Sequence, residues 1–523
     1  MAQQKSDRRV VPQGRRKAVE TGAFEERRGG KAASVEQRTW QLGLKFGTAE
    51  NPGEGAPGVV VEAAARPRAA APRAAPKPNV KEKGATSATM EEVTSRLRAA
   101  FEKVASNKGA PGPDRQSVDE VRKHLDSVLT NLEDGLLKET YRPGDIRRVW
   151  IPKAGGGERG LGIPNVIDRV VQEAVRQVLE PLYEPTFHRS SHGFRPGKSC
   201  HTAIAEAKTH LEEGHEWVVD LDLEKFFDRV NHQRLMARLA ERVGDRRVLV
   251  VISRMLKAAV VLPEGVRVST EEGVPQGGPL SPLLSNVVLD ELDRELAQRG
   301  HRFVRYADDC NIYVRSERAG QRVMASIVSF IERRLRLKVN TAKSAVARPE
   351  ERHFVGFRLR CDPTDGEVEV LLSKRTKERI DSRIRELTPR NWGGSLEACI
   401  LQLNAYLVGW LGFFGICSPG IERSLGNLDA HIRRRLRALK LTDWKRKLVI
   451  ARKLIQLGVP SKTAWRNVYD GRQSVWALSH APAVDRGLRN AYFAERGLVS
   501  LRERWRTNHE SIVAPKQLRL ALG

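Results

Sequence analysis

Apolar residues recur with helical spacing through the middle of the chain. Between Val93 and Val104 they fall at every third or fourth position, and the pattern stops at Asn107-Lys-Gly, which favours a turn. The same periodicity predicts further helices at about 117–138, 165–183, 200–213, 232–258 and 316–337.

Three short segments rich in β-branched and aromatic residues predict neighbouring strands. Residues 302–306 and 310–314 flank Ala307-Asp308-Asp309 and predict a hairpin with both acids at its tip. Residues 217–221 predict a strand beside this hairpin, with Asp222 at its end. Helices that alternate with antiparallel strands predict an α+β fold.

After residue 373 the helical periodicity is almost continuous. Apolar and aromatic residues between Leu396 and Phe414 line one helix face, and we expect them to pack in a core. The chain contains no stretch of 18 consecutive apolar residues, and no signal-peptide core opens it. These features predict a cytoplasmic protein that does not enter a membrane.

The acidic residues of the predicted strands favour a divalent-cation site. Carboxylates of Asp222, Asp308 and Asp309 that met at the hairpin tip would repel one another unless cations lay between them. Mg²⁺ prefers oxygen ligands, and two such ions a few ångströms apart support template-directed nucleotidyl transfer. An Asp-Asp pair in a turn is often only solvated, so the surrounding sequence has to indicate whether this pair is catalytic. Asp220 has the same side-chain parity as Asp222 on a strand, which leaves a supporting role open to it.

The net charge indicates a polyanionic partner. The 523 residues carry a formal charge of +27, and the sequence pI is about 10.2. Residues 1–88 contribute +8, residues 89–373 only +2, and residues 374–523 contribute +17. A large structured RNA is the kind of partner that such a C-terminal excess of positive charge would bind.

The N-terminal residues have a composition that disfavours a folded core. Residues 51–83 are rich in Ala, Pro and charge and predict a semi-extended linker. Residues 1–50 are basic and predict a loose nucleic-acid arm. A mitochondrial targeting peptide is the alternative, and the nine acids within residues 1–88 argue against it.

Seven motifs, taken together and in order, resemble those of bacterial group II intron reverse transcriptases, the maturase-type proteins encoded inside self-splicing introns. The resemblance runs from about Met90 to near the C-terminus. Its motifs are Asn107-Lys-Gly-Ala-Pro-Gly-Pro-Asp114, Ile151-Pro-Lys through Leu161-Gly-Ile-Pro164, His192-Gly-Phe-Arg-Pro-Gly197, Asp222 through His232, Gly273-Val-Pro-Gln-Gly-Gly-Pro-Leu-Ser-Pro282, Tyr306-Ala-Asp-Asp309 and Phe354-Val-Gly-Phe357.

The resemblance implies roles for individual residues near the carboxylates. Asp222, Asp308 and Asp309 would be the catalytic ligands of two Mg²⁺ ions. Asp222 rather than Asp220 would be the first of them, because in this family an aromatic residue follows the catalytic Asp by five positions. Phe227 satisfies that spacing and would exclude a 2′-hydroxyl from the incoming sugar. An ordinary core position is the alternative for Phe227.

Four further residues are implied to contact the nucleotide. Gln276 would contact its base, although its Gly/Pro-rich segment is also typical of a plain connector. Lys153 and Arg159 flank a glycine-rich tip and would close over the triphosphate, with solvated loop cations as the alternative. Arg195 would touch template or nucleotide.

The resemblance also implies four regions of the chain. They are a disordered basic arm and linker at 1–88, fingers and palm of a right-hand polymerase with an antiparallel sheet at 89–373, an all-helical thumb and maturase domain at 374–470, and a basic, DNA-binding segment at 471–523. A basic helix with an interleaved aromatic would bind RNA, unless its charges are merely solvated. Its predicted RNA-binding residues are Arg433, Arg434, Arg435, Arg437, Lys445, Arg446 and Lys447.

The resemblance implies an RNA-directed DNA polymerase that also binds its parent intron RNA to promote splicing and retrohoming. Its partners would be intron RNA, target DNA and dNTPs. The five cysteines form no Cys-x-x-Cys pair, and the zinc-type endonuclease of many relatives is not found. Two alternatives are a domesticated reverse transcriptase in host defence or repair, and an RNA-binding splicing cofactor with an idle polymerase.

Overall fold

The computed structural model describes residues 88–152, 157–362, 366–470 and 474–510. The chain divides after Ala75 into two units, and every described residue belongs to the second, Pro76–Gly523. The predicted arm and linker at 1–88 therefore lie outside the described residues except for Ala88. Lys153 and residues 511–523 also lie outside them.

Helices and a small sheet precede the central sheet in the chain. The helices before the C-terminal region are α1 (Met90–Ser95), α2 (Leu97–Ser106), α3 (Val118–Lys123), α4 (Leu125–Leu137), α5 (Val166–Tyr183), α6 (Cys200–Glu212), α7 (His232–Ala240), α8 (Arg246–Leu256), α9 (Ser281–Gln298) and α10 (Glu317–Phe330). The small sheet has the order β2-β1-β4-β5, with β1 (Ile146–Pro152), β2 (Glu158–Ile163), β4 (Val260–Val261) and β5 (Arg267–Val268).

The central sheet carries the predicted hairpin. Its order is β6-β7-β3-β8, with β3 (Trp217–Leu221), β6 (Arg302–Tyr306), β7 (Asp309–Val314) and β8 (Ala345–Ala347). All its pairs are antiparallel, and the register sets Tyr306 opposite Asp309 and Leu221 opposite Cys310. The predicted hairpin and the neighbouring strand are confirmed. A second hairpin, β9 (Phe357–Cys361) and β10 (Val368–Leu372), ends the strand-containing part.

The C-terminal region is helical, as predicted. Its helices are α11 (Lys374–Leu387), α12 (Leu396–Phe414), α13 (Glu422–Trp444), α14 (Lys447–Gln456), α15 (Ser461–Tyr469), α16 (Val475–Leu478), α17 (Pro482–Gly487) and α18 (Asn490–Ala494), followed by helical residues 501–510. Among the described residues, α12 alone is long and apolar enough to cross a membrane by length and composition. Seven of its side chains are buried, and core helices of soluble proteins often have such a composition.

Two hydrophobic cores meet across the central sheet. Val219, Leu221 and Ile312 face the first core, which includes α1, α2, α5 and α9. Val218 and Tyr313, whose side chains point to the opposite face, belong to the second core with α12 and α13. The C-terminal helices therefore do not form a separate core, because they share theirs with one face of the sheet.

Several helical regions differ from the prediction. The helix predicted at 117–138 is divided at His124 into α3 and α4. The helix predicted at 232–258 is interrupted between α7 and α8, because the Asp245 side chain accepts a hydrogen bond from the Arg247 amide (2.8 Å) and starts a new helix. Helix α9 was not predicted from apolar spacing. Its buried residues include Asn286, Asp290 and Asp293, which break the apolar periodicity.

The buried polar residues of α9 hold Arg305, a fully buried arginine of β6. Arg305 donates to both carboxylate oxygens of Asp293 (Nε–Oδ1 2.7 Å, Nη2–Oδ2 2.5 Å) and to Oδ1 of Asn286 (3.1 Å). It also donates to the Ser191 hydroxyl (2.7 Å) and the Ala307 carbonyl (2.9 Å). Burial alone would lower the pKa of Arg305, but the charge of Asp293 outweighs it and keeps the pKa above its usual value.

We predict that Asp293→Ala lowers the free energy of unfolding by about 3–5 kcal/mol, because Arg305 would stay buried without its counter-ion. The double variant Asp293→Leu/Arg305→Met should lose less, since it leaves no unpaired charge. Asp126→Ala is the matched control: its ion pair with Arg98 is exposed, and its removal should cost at most about 1 kcal/mol. Urea denaturation measures all three. Equal losses in Asp293→Ala and Asp126→Ala would contradict the assignment.

Candidate active site

The hairpin turn and the end of β3 bring the three predicted carboxylates together. Ala307 adopts a positive φ of 57°, which lets the two-residue turn reverse the chain between Tyr306 and Asp309. Asp222 directly follows Leu221, the residue paired with Cys310, so it lies at the same end of the sheet as Asp309. A Cβ on Gly193 would lie 2.2 Å from the Ala307 amide nitrogen, so only glycine allows this loop to support the turn.

The electrostatics of the carboxylates reflect their proximity. The pKa of Asp309 is raised to about 7, first by loss of surrounding water and then by the negative charges of Asp308, Asp220 and Asp222. The pKa of Asp308 is also raised, chiefly by desolvation, and the charge of Asp222 adds to it. Asp309 still has an exposed side chain at the tip, so a cation has access to the group that most needs one.

The donor set fits a hard cation in chemical type. All three groups are carboxylates, the ligands that Mg²⁺ prefers, and their mutual repulsion is the cost that a bound cation would remove. Within the described part of the chain, no three His, Cys, Asp or Glu side chains are already gathered closely enough to hold an ion. The ligands would therefore have to close around a cation, together with substrate oxygens.

Lys343 is a charged neighbour that the sequence analysis missed. Its Nζ lies 3.5 Å from Oδ2 of Asp222, and its charge opposes the rise in the pKa of Asp309. The segment before it is bonded to the site, because the Asn340 amide donates to the Asp222 carbonyl (2.8 Å). Nothing in the local sequence links Lys343 to Asp222, since the two residues meet only through the fold.

Asp220 is committed to a structural ion pair. Arg352 donates to Oδ2 of Asp220 through Nε (2.8 Å) and Nη2 (2.5 Å), and it also donates to the Lys343 carbonyl. Arg352 therefore joins Asp220 to the turn that carries Lys343. A supporting role of Asp220 toward Asp222 stays a prediction.

Phe227 and Gln276 each take part in a backbone hydrogen bond that involves the Gly273–Pro282 segment. The Val274 amide donates to the Phe227 carbonyl (2.6 Å), and the Gly162 amide of β2 donates to the Gln276 carbonyl (2.7 Å). Phe227 is only partly buried and packs against Phe226, with 5.1 Å between the ring centroids. The Gly273–Pro282 segment thus connects the small sheet to the residues after Asp222.

The basic residues that were predicted to contact the nucleotide have different surroundings. Arg159 of β2 is exposed, and its positive charge acts to lower the pKa of Asp308, so it lies on the carboxylate side. Lys153 lies outside the described residues. The structure corrects the expectation for Arg195, whose guanidinium is almost buried and donates to Glu184 (Nε–Oε1 2.9 Å) and to the His188 carbonyl (2.6 Å).

The predicted RNA-binding residues fall into two groups. Arg434 lies over the Trp476 ring (4.2 Å to its centroid), and Arg435 donates to the Thr388 hydroxyl (2.5 Å). The expectation for Arg437 is corrected, because its guanidinium is buried, donates to the Leu488 carbonyl (2.9 Å) and pairs with Asp485. Arg433 is half-buried, whereas three residues are exposed to solvent: Lys445, Arg446 and Lys447.

Two family profiles match the chain in order. The profile described as "Reverse transcriptase (RNA-dependent DNA polymerase)" matches residues 151–359, which contain the three carboxylates and the β6–β7 hairpin. The profile described as "Group II intron, maturase-specific domain" matches residues 377–455, from α11 into α14. Residues after 455 lie beyond both matches.

Similar proteins include intron-encoded proteins of bacteria and yeast. Protein YkfC of Escherichia coli is 33% identical over 340 residues, which cover 57% of this chain and 86% of that protein. Group II intron-encoded protein LtrA of Lactococcus lactis is 38% identical over 214 residues, 39% of this chain and 34% of LtrA. A putative COX1/OXI3 intron 2 protein of Saccharomyces cerevisiae is 27% identical, over 64% of this chain and 44% of that protein. The matched part thus spans less than half of the last two relatives.

A solved Cas6-RT-Cas1--Cas2 complex contains a chain with a TM-score of 0.31 and 24% identity, covering 47% of this chain and 42% of that chain, and this distant likeness carries no argument here. The family of the chain is assigned from its sequence relationships alone. YkfC aligns over most of its own length, and the polymerase and maturase profiles follow each other in the expected order. The chain belongs to the family of group II intron-encoded reverse transcriptases that carry a maturase domain.

Proposed function

We propose that the chain is an RNA-directed DNA polymerase that transfers deoxynucleotides at Asp222, Asp308 and Asp309. The observation that carries this proposal is the position of these carboxylates at one end of the central sheet, where burial and then their mutual charges raise the pKa values of Asp308 and Asp309. This geometry lies within the segment matched by the reverse transcriptase profile.

The three carboxylates would hold two Mg²⁺ ions. When bound, the ions lower the pKa of the primer 3′-hydroxyl and stabilise charge on the departing pyrophosphate. The residues of the chain bind and orient the reactants: Arg159 would attract the triphosphate, and its planar guanidinium suits bidentate phosphate contacts. Lys343 would balance negative charge beside Asp222.

Phe227 and Gln276 would shape the nucleotide pocket. The exposed part of the Phe227 ring would fill the space that a ribose 2′-hydroxyl needs. Gln276 would contact the base from a segment tied to both Phe227 and β2. In this proposal, the segment that positions the base also supports the residue that selects the sugar.

The second activity that we propose is binding of intron RNA to promote splicing and retrohoming. The C-terminal 150 residues carry most of the excess positive charge, and the maturase-specific profile matches their first part. Among the predicted contacts, Lys445, Arg446 and Lys447 expose their side chains, which makes them available to phosphates. Arg437 is left out of this surface because it is used inside the protein.

The activity is tested by primer extension on an RNA template with Mg²⁺ and dNTPs. We expect wild-type protein to extend the primer and Asp308→Asn to lose about a hundredfold or more of the rate, since a ligand charge is removed from the reacting centre. Glu133→Gln is the matched control: it neutralises one exposed acid on α4 and should extend normally. Equal extension by all three proteins would refute the assignment.

The raised pKa of Asp309 predicts a pH-dependent stability effect in protein kept free of metal by EDTA. Because the folded-state pKa of about 7 exceeds the ordinary value, ionised Asp309 destabilises the fold, fully above pH 7 and progressively less toward pH 4. Asp309→Asn should therefore raise the melting temperature at pH 8 and have little effect at pH 4. Added Mg²⁺ should stabilise wild-type protein more than the variant. Glu133→Gln should match wild-type protein in melting temperature at both pH values and in its stabilisation by Mg²⁺.

Phe227→Ala should weaken the choice of deoxyribonucleotides over ribonucleotides by about tenfold to a hundredfold, because space opens for the 2′-hydroxyl. Phe227→Tyr keeps the ring and should keep the choice. Single-nucleotide incorporation kinetics with dGTP and GTP measure the ratio of kcat/KM values. If Phe227→Ala retains the wild-type ratio while still extending primers, Phe227 is only a packing residue.

A further inference from the structure

Helices α14 and α15 expose charge of one sign. Residues 444–469 contain seven Lys or Arg and no Asp or Glu. All seven are solvent-exposed: Lys445, Arg446, Lys447, Arg452, Lys453, Lys462 and Arg466. Asp443, just before this stretch, is paired with Lys440 (3.0 Å), and Asp470, just after it, is exposed. Such a surface strongly attracts polyanions.

An exposed aromatic ring lies within this basic surface. Tyr469, the last residue of α15, is 50% exposed, far more than most large apolar side chains of the protein. Trp465 supports the ring from one turn earlier, with 5.6 Å between the centroids and 35° between the planes. Lys447 Nζ lies 5.6 Å from the centroid of Tyr469. The ring is therefore held in place while much of its surface faces solvent.

The cations and the ring of α15 share one side of the helix. Lys462, Arg466 and Tyr469 follow one another at spacings of four and three residues, which places them in one row. The row runs along about two turns of helix, or roughly 10 Å. A flexible strand that lies along the row would meet phosphate-binding cations and then an aromatic ring.

We propose that the α14–α15 surface binds an unpaired, single-stranded segment of a polynucleotide, with one base stacked on Tyr469 and the adjacent phosphates bound by Lys447, Lys462 and Arg466. A single strand is favoured over a duplex because the bases of a duplex are already stacked on their neighbours, whereas an unpaired base has a free face for the ring. The maturase-specific match ends at residue 455, so α15 and Tyr469 lie beyond it.

This inference deepens the proposed nucleic-acid role of the C-terminal region and rests on that role. It is independent of the polymerase chemistry, because Tyr469 lies on a different element from the carboxylates and shares no bonded contact with them. Binding and primer extension can therefore fail separately.

The binding test uses the full chain and fluorescence anisotropy at fixed salt. The probes are fluorescein-labelled 12-nucleotide single strands of RNA and of DNA with the same sequence, and an RNA duplex of the same length. Tyr469→Ala should weaken binding of the single strands by about tenfold, the effect of losing one stacked base. Tyr469→Phe keeps the ring and should bind like wild type. Both variants should bind the duplex like wild type, and the RNA and DNA arms show which strand is preferred.

A salt titration tests the cations by a readout that packing does not change. Lys462→Gln/Arg466→Gln should reduce the slope of log K against log salt for the single strand by about 1.4, since each phosphate contact contributes roughly 0.7. Arg322→Gln, which removes an exposed cation from α10, is the control and should leave the slope unchanged.

Two results would overturn the proposal. The first is equal single-strand binding by Tyr469→Ala and Tyr469→Phe, and the second is a loss of duplex binding as large as the loss of single-strand binding. Ultraviolet crosslinking of wild-type protein to a 5-bromouridine oligonucleotide, mapped by mass spectrometry, avoids any folding defect of the variants. The crosslink should map to Tyr469 or its neighbours on α15, and a map without α15 also rejects the site.

Discussion

The buried pair between Arg305 and Asp293 is the interaction on which the active-site geometry depends. Arg305 reaches from β6 to α9 and to the Ala307 carbonyl, so one guanidinium ties the hairpin turn to the helix behind it. A buried ion pair contributes little net stability, but its geometry is demanding, because any displacement leaves a charge without a partner. The pair therefore restricts the turn to one conformation rather than simply strengthening the fold.

A fixed turn explains how the site tolerates repulsion. Asp308 and Asp309 follow Ala307, whose positive φ is supported by the Arg305 bond and by close packing of Gly193. Burial, and then the negative charges of Asp308, Asp220 and Asp222, raise the pKa of Asp309. The tip therefore carries electrostatic repulsion among these carboxylates. A cation that binds there would release it, which couples metal affinity to the packing beneath the turn.

Local sequence was sufficient for the elements and for the acids at their ends. The hairpin, the strand before Asp222 and the helical C-terminal region were all predictable, because apolar periodicity and turn residues act over a few positions. Helix α9 was not, since its buried Asn286 and Asp293 make sense only beside Arg305. Lys343 was missed for the same reason. Contacts between distant parts of the chain decide whether a charged residue is buried, paired or exposed.

The C-terminal cations show why net charge alone cannot locate a binding surface. Arg434 and Arg437 looked equivalent to Lys445 and Lys447 in the sequence, yet the two arginines bind protein carbonyls. Arginine suits such internal roles because its planar group satisfies several acceptors at once. Once these residues are removed from the count, seven exposed cations remain between Asp443 and Asp470. The arginines that bond inside the protein thus differ from the exposed cations that nucleic acid can reach.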